Sequence, residues 1–291
     1  MVYSLLVILI VLVADRLVPD RAGFNPFSWF RDWAESVEQR FNGGQSRQGL
    51  AALGLTVGSV FLVVLLLQVL LAGMNWFLRF GFDIALMYFF VQFSGRLAAA
   101  DRIVQAIDND EITSAEEALA EMPAVVDEPV TDASPVWTGS IRLLVGADSW
   151  FFAPVFWFLV FGPAGAVLHY ASGIAAQAWD WRNSRFQEFG RAAHNLYQVL
   201  TWVPVRILAI SYALLGDFEN VLQAWEKQRD TWTGSSDQLL AAVGFGALGQ
   251  DIEQHFPDSS FLQRTVALEY RVVIFWGICG LLAAVAGLLP A

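Results

Sequence analysis

Apolar residues fall along this chain in long runs separated by short polar blocks, and the longest runs exceed any ordinary strand. The cleanest is Leu50 to Met74, which carries no charge and is longer than the ~20 residues needed to cross a bilayer as a helix. Met1 to Ala14 is a second run, closed at once by Asp15-Arg16. A signal peptide would place basic residues before its apolar core and a small-residue cleavage site after it, so this stretch reads as a retained first span. Phe82 to Phe93 continues another span, with Arg79 and Asp83 four residues apart and able to share one helix face. Arg271 precedes a last span, Val272–Leu289, whose Gly280/Ala284 and Ala283/Gly287 pairs suit close helix contact. The pattern predicts an all-α polytopic membrane protein: four firm transmembrane helices, a broken or re-entrant helical region, and amphipathic soluble helices.

The polar blocks carry helical periodicity of their own. Between 20 and 47, Phe24, Phe27, Phe30, Trp33, Val37 and Phe41 recur at helical spacing, with Arg31, Arg40, Asp32 and Glu38 elsewhere. Such a helix suits the membrane interface, and its arginines put this loop in the cytoplasm and the N-terminus outside. Leu97–Ile107 and Ser114–Met122 read as two amphipathic helices, the second started by a Ser114/Glu117 capping box. Residues 123–139, with prolines at 123, 129 and 135, read as an exposed loop. Asp108-Asn109-Asp110-Glu111 lacks the glycine and ligand spacing of a calcium loop and reads as a solvated turn. Asp217 to Thr231 forms an amphipathic helix, and Gln238–Leu248 a small-residue helix whose Gly244 and Gly246 suit close packing. The expected organisation is one membrane domain over 1–291, with 96–148 and 217–269 as polar helical insertions packed on it.

The centre, Trp150 to Gly216, breaks the pattern. Ala153-Pro154-Val155-Phe156-Trp157 is followed by Gly162-Pro163-Ala164-Gly165 and a second apolar run, 166–178. Two arms of this length are each too short to span, so 150–178 is expected to be a re-entrant hairpin. A polar cluster, Asp180 to Arg185, precedes Trp202-Val203-Pro204-Val205-Arg206. Pro204 lacks an amide hydrogen and leaves a carbonyl near position 200 without its helical partner. A charge within an apolar segment is costly, ~2.5–3.5 kcal/mol at the bilayer centre on insertion scales. Arg206 is therefore expected to turn back toward Asn183 and Glu188, forming a polar pocket with Arg182, Arg185 and Asp15. A clamp onto helix ends or carbonyls is the other reading of Arg206.

Composition narrows the chemistry. The chain is 56% hydrophobic and 15% charged, with 12 tryptophans and a net charge of −11. An acidic surface excludes nucleic acid as a partner; membrane lipids are expected, with a protein partner or a second copy left open. Cys279 is the lone cysteine, so no internal disulfide forms. His169, His194 and His255 have no metal-ligand spacing. No Gly-x-Ser-x-Gly or Ser-x-x-Lys occurs, which removes the covalent hydrolases. No catalytic residue, metal or cofactor is expected on these grounds.

The motifs Ala153-Pro154-Val155-Phe156-Trp157, Gly162-Pro163-Ala164-Gly165, Asn183-Ser184-Arg185-Phe186, Phe189-Gly190 and Trp202-Val203-Pro204-Val205-Arg206 resemble two related membrane families. One is adenosylcobinamide-phosphate synthase of the cobalamin pathway; the other is AmpE, an inner-membrane protein associated with β-lactamase induction. Asp15, Pro26 and Arg96-Leu97 fall where the enzyme family has an early Asp, a His-Pro and a Ser-Leu. The departures separate the two. A Glu-Ser-x-x-Glu-Asn-type stretch of the enzymes meets Ile141-Arg142-Leu143-Leu144-Val145-Gly146 here, and an Asp-Asp pair meets Tyr197-Gln198. ATP-dependent amide ligation needs carboxylates to hold magnesium and steady phosphates. The resemblance, with both acidic stations replaced, implies a non-catalytic inner-membrane signalling or accessory protein of the AmpE type, linked to β-lactamase induction and cell-envelope state. A membrane enzyme of the synthase fold, acting on a phosphorylated or nucleotide substrate, is the alternative. A lipid or small-molecule binding or transport protein is the third reading, because helices are broken at membrane depth.

Overall fold

The computed structural model describes residues 2–17, 28–126, 134–229, 235–250 and 258–288. Within them the chain is helical and no strand occurs. In order run α1 (Val2–Leu17), α2 (Ser28–Phe41), α3 (Ser46–Leu53), α4 (Ser59–Met74), α5 (Trp76–Phe90), α6 (Phe93–Asp108) and α7 (Ile112–Ala120). Then come α8 (Pro135–Ala147), α9 (Ala153–Phe161), α10 (Pro163–Ala178), α11 (Gln187–Leu215), α12 (Phe218–Arg229), α13 (Ser236–Ala247) and α14 (Ser259–Leu288). Single π-turns, Gly54–Gly58 and Asp148–Phe152, join α3 to α4 and α8 to α9 without breaking either helix. Phe24, Phe27 and His255 lie outside the described residues.

Among the described residues, five helical stretches are long and apolar enough to cross a membrane: Ser46–Met74, Trp76–Asp108, Pro135–Phe161, Gln187–Leu215 and Ser259–Ala286. The chain is an all-α polytopic membrane protein. On α4, Leu62, Val63, Leu66, Val69 and Leu70 are each more than half exposed, an apolar surface that water would not tolerate and that lipid covers. The set of spans differs from the expected four. The described part of α1 has only 16 residues, short of a full crossing. The expected hairpin is corrected at its first arm: 153–161 is the end of a 27-residue helix that starts at Pro135. Proline is tolerated in a first helical turn, where its missing amide hydrogen has no partner to lose. Pro135 therefore starts α8 where the sequence suggested only a loop. Helix α7 likewise begins at Ile112, so Ser114 is inside it and not its cap.

The chain folds as two compact units, one of residues 6–91 and 151–203, the other of 1–5, 92–150 and 204–291. In the first unit α10 is the central element, touching α9, α4, α5 and α2. Its sequence explains this: Ala164, Gly165, Ala166, Ala171, Ser172, Ala175 and Ala176 are all buried, and small side chains let several helix backbones approach at once. The turn that leads out of α10 into α11 follows the same rule. A Cβ on Gly190 would stand 1.8 Å from the Trp179 carbonyl oxygen, and one on Gly49 2.1 Å from that of Phe189.

In the second unit α8 is the central element, packed on α14, α6, α13 and α7 and buried from Val136 to Ala147 on nearly every side. The two polar blocks thus share one core, with Ser259 Oγ donating to Asp108 between them. Three arginines gather at the end of α7. Arg96 donates to the Glu121 carbonyl at 3.0 Å, Arg102 pairs with the Glu121 carboxylate, and Arg142 donates to the Leu119 and Met122 carbonyls, both at 2.9 Å. Cations there complement the negative end of the helix and satisfy carbonyls that have no intrahelical donor.

Gly190→Ala should destabilise the protein by more than the ~1–3 kcal/mol of ordinary overpacking, because the Cβ meets backbone that cannot step aside. Gly54→Ala, with nothing within 4 Å of its Cβ, should be neutral or stabilising by up to about 1 kcal/mol. Thermal midpoints of the purified protein in detergent separate the two.

Candidate functional site

Two polar places were legible or hidden in the sequence, and the structure treats them differently. The first is the turn 180–186. Asp180 takes a bidentate pair from Arg182, at 3.0 and 3.1 Å, and a third bond from the Arg182 amide. Asn183 Oδ1 accepts from the Arg185 amide. The Arg185 guanidinium reaches the buried Glu38 carboxylate of α2 at 3.1 Å, and Asn42 donates both to Glu38 and to the Arg185 carbonyl. Burial raises the Asp180 pKa, but the side-chain and backbone bonds from Arg182 outweigh it, with its charge and that of His194 adding to them, and hold the carboxyl below its usual range. The bonds of Arg182 to Asp180 and of Asn183 to the Arg185 amide close the turn on itself, and that of Arg185 to Glu38 fastens it to α2.

Glu188, Asp15 and Arg206 were expected in the same pocket. Glu188 pairs with Arg191 at 3.3 Å on the exposed first turns of α11. Asp15 is buried on α1 in line with Val7 and Val11, at four-residue spacing. Arg206 is half-buried on α11. Because α11 runs through Pro204 without interruption, Arg206 stands eighteen residues, or about 27 Å of helix axis, from Glu188. The two do not meet. The expectation about the carbonyl at 200 fares better: Leu200 accepts a hydrogen bond at 3.0 Å from the Trp157 indole. The tryptophan of the Ala-Pro-Val-Phe-Trp motif fills the place of the amide hydrogen that Pro204 lacks.

The second place was not anticipated. Asp148, Tyr212, Asp237 and Glu269 are all buried, between 0 and 3% exposed, and all belong to the unit centred on α8. Asp148 opens the π-turn after α8, Tyr212 lies near the end of α11, Asp237 is in the first turn of α13, and Glu269 is on α14. Asp148 interacts electrostatically with both Asp237 and Tyr212. The Tyr212 hydroxyl lies 2.9 Å from the Leu144 carbonyl oxygen and 2.5 Å from Glu269 Oε1. A phenol has one proton to donate, so it serves either the Leu144 carbonyl or a Glu269 carboxylate, and both contacts form at once only when the Glu269 carboxyl carries a proton. Glu269 Oε2 has no hydrogen-bond partner among the described residues. The arrangement can hold a proton and can attract a cationic group. Sequence reading missed it because Glu269 sits just before the last apolar run, Asp237 looks like part of a helix start, and Asp148 precedes Trp150 without any motif.

The two stations where the resemblance lacks acids have structural duties here. Arg142 clamps the end of α7, as described above. Tyr197 is buried with its ring 5.8 Å from that of His169 and in contact distance of Gly173. Among the described residues no three His, Cys, Asp or Glu side chains are grouped to hold a metal ion. The donor set therefore does not fit a dedicated metal cage.

A family model described as CobD/Cbib protein matches residues 8–255. The chain belongs to the CobD/Cbib family. Among similar proteins, "Cobalamin biosynthesis protein CobD" of Stutzerimonas stutzeri is 30% identical over 82% of this chain and 78% of its own length. A protein of the same name from Chromobacterium violaceum is 26% identical over 84% and 80%. "Protein AmpE" of Shigella flexneri is 31% identical, but over only 35% of this chain. No solved structure matches. The coverage overturns the signalling reading: CobD/Cbib similarity runs through nearly the whole chain, AmpE similarity through about a third. As with its bacterial CobD/Cbib relatives, the chain is a multi-pass protein of the inner membrane type.

Trp157→Phe should cost about 1–3 kcal/mol, the range for a buried acceptor left without a donor, and Pro204→Ala should remove most of that penalty by restoring the amide to Leu200. A double-mutant cycle on thermal midpoints reads this directly; purely additive effects would mean that the indole bond does not replace the missing amide. Asp180→Asn should lower stability at neutral pH by no more than about 1 kcal/mol, since the pair is partly exposed. The sign follows from the lowered pKa: the stabilisation is present above the ordinary carboxylate range and disappears as the pH falls below it. Unfolding curves of the two proteins should therefore converge in acid.

Proposed function

We propose that this chain is a membrane enzyme of cobalamin biosynthesis, with the fold of the adenosylcobinamide-phosphate synthase family, acting on a phosphorylated or nucleotide substrate. The observation that carries the proposal is the family match over 8–255, joined to relatives named for cobalamin biosynthesis that align over about four fifths of both chains. The buried acids support it. They do not replace the magnesium-holding carboxylates missing at 141–146 and 197–198; what Asp148, Asp237 and Glu269 offer is negative charge for a cationic group and a place for a proton.

Forming an amide requires an amine that has lost its proton and sits against an acyl carbon carrying a phosphate, so that the C–N bond forms as the C–O bond to the departing phosphate breaks. A cluster of buried carboxylates attracts the protonated amine. Asp148 and Asp237 would orient its ammonium group. A deprotonated Glu269, positioned by Tyr212, would take up the proton released as the nitrogen attacks; positioned proton transfer of this kind contributes roughly 10²–10⁴-fold.

Expression of the chain in a bacterium lacking its own CobD-type enzyme should restore cobalamin-dependent growth. Glu269→Gln and Asp148→Asn, present in the membrane at wild-type amounts, should reduce the restored cobalamin yield by about 10²-fold or more. Failure of the wild-type chain to restore growth at normal expression would falsify the proposal; full rescue by both variants would remove the acids from it.

A further inference from the structure

A shallow cleft of about 320 Å³ opens in the unit centred on α8, where the ends of α11 and α13 meet the outer face of α14. Leu215, Asp217, Gly249, Arg264 and Arg271 are among its walls. The cleft lies at one end of the apolar part of α14, because Arg271 is the last charge before the run from Val272 onward, and α11 likewise ends its apolar course at Leu215. This is the level at which headgroups and dissolved ligands meet a membrane protein.

Among the described residues, the negative groups that line the cleft are already engaged. The Leu215 carbonyl accepts from Arg271 Nη1 at 2.9 Å, and the Ala247 carbonyl from the Asp217 amide at 2.9 Å. The Asp217 carboxylate accepts from the amide and side chain of Asn220, capping α12. The positive groups are not. Arg271 spends one further donor, Nε, on the Ala267 carbonyl, which leaves three of the five N–H donors of a guanidinium. Arg264 is exposed, rests against the Phe261 ring at 5.7 Å, and makes no hydrogen bond or ion pair among the described residues. Seven residues apart, the two arginines share one face of α14, about 10 Å apart along its axis. Two long side chains rooted at that separation can close on a single tetrahedral oxyanion between them, and planar guanidinium forks suit phosphate oxygens.

We propose that this cleft is a binding site for the phosphate oxyanion of a ligand, with Arg264 and Arg271 as its two arms. The chemistry is shared by an anionic lipid headgroup and by a soluble phosphate compound. The inference does not depend on the cobalamin reading: loss of rescue would leave it standing, and its own failure would leave rescue untouched.

The full chain, reconstituted in phosphatidylcholine nanodiscs, is titrated with inorganic phosphate against sodium chloride of equal ionic strength while the unfolding midpoint is followed. In parallel, nanodiscs containing phosphatidylglycerol replace the neutral ones. A ligand that binds only the folded state raises the midpoint, by roughly 2–4 °C for each kcal/mol in a domain of this class. Arg264→Gln should leave the midpoint without ligand unchanged, since Arg264 holds no other element, and should abolish the increment. Arg271→Gln should lower the midpoint itself, because the cap on Leu215 is lost, so Arg264→Gln is the deciding variant. An increment with phosphate that Arg264→Gln abolishes establishes a site for soluble phosphate compounds; one seen only with phosphatidylglycerol and abolished in the same way establishes a lipid site. The absence of an increment in both arms, or its persistence in Arg264→Gln, overturns the inference.

Discussion

A backbone carbonyl that loses its helical partner in an apolar medium must find another donor, because lipid offers none. Much of what is particular to this chain follows from that constraint. Pro204 deprives the Leu200 carbonyl, and the Trp157 indole takes it. At the α9–α10 turn the chain reverses at Gly162, and Gln68, within the apolar helix α4, donates to the Phe161 carbonyl and accepts from the Ala164 amide. Before the π-turn at 148, Tyr212 bonds the Leu144 carbonyl; at the end of α11, Arg271 bonds that of Leu215. Each irregularity in a helix is matched by one polar side chain that would otherwise be expensive where it stands.

That matching explains which parts of the fold were readable beforehand. The spans at 46–74 and 259–286 stand out because hydropathy is a sum over many residues and needs no tertiary knowledge. The orphaned carbonyl at 200 was also readable, since proline chemistry is local. Its donor was not, because Trp157 is forty-three residues away and looks like one more interfacial aromatic. The same blindness misplaced Arg206. A local argument asked which acids were near in sequence and bent the chain to reach them, but α11 continues through Pro204 and carries Arg206 away from the turn. One side-chain donor in the right place was enough to keep that helix whole.

The short apolar arms at 150–178 misled for a related reason. Length alone argued for a hairpin, but Pro135 lies at a helix start and adds α8 to the first arm. The second arm, α10, remains short yet is enclosed by four neighbours because more than half of its residues are Ala, Gly or Ser. Small residues read as weak signals in a hydropathy profile, whereas in a helical membrane protein they mark the positions of closest approach.

The acidic stations show the limit of comparing motifs position by position. Arg142 and Tyr197 stand where acids were sought, and each does a mechanical job there, one clamping α7 and the other packing against His169. Their replacement therefore says what those two positions do, not what the protein lacks. Asp148, Asp237 and Glu269 come from three separate helices and converge only once α8 is surrounded by its neighbours. Burying carboxylates is unfavourable unless they are neutralised or used, and a fold that only needed a packed core could have placed leucine at each. Asp148 and Glu269 interact with the Tyr212 phenol and Asp237 with Asp148, so the acids form a connected buried set, whereas at the turn 180–186 Asp180 and Arg182 pair with each other and Arg185 holds α2.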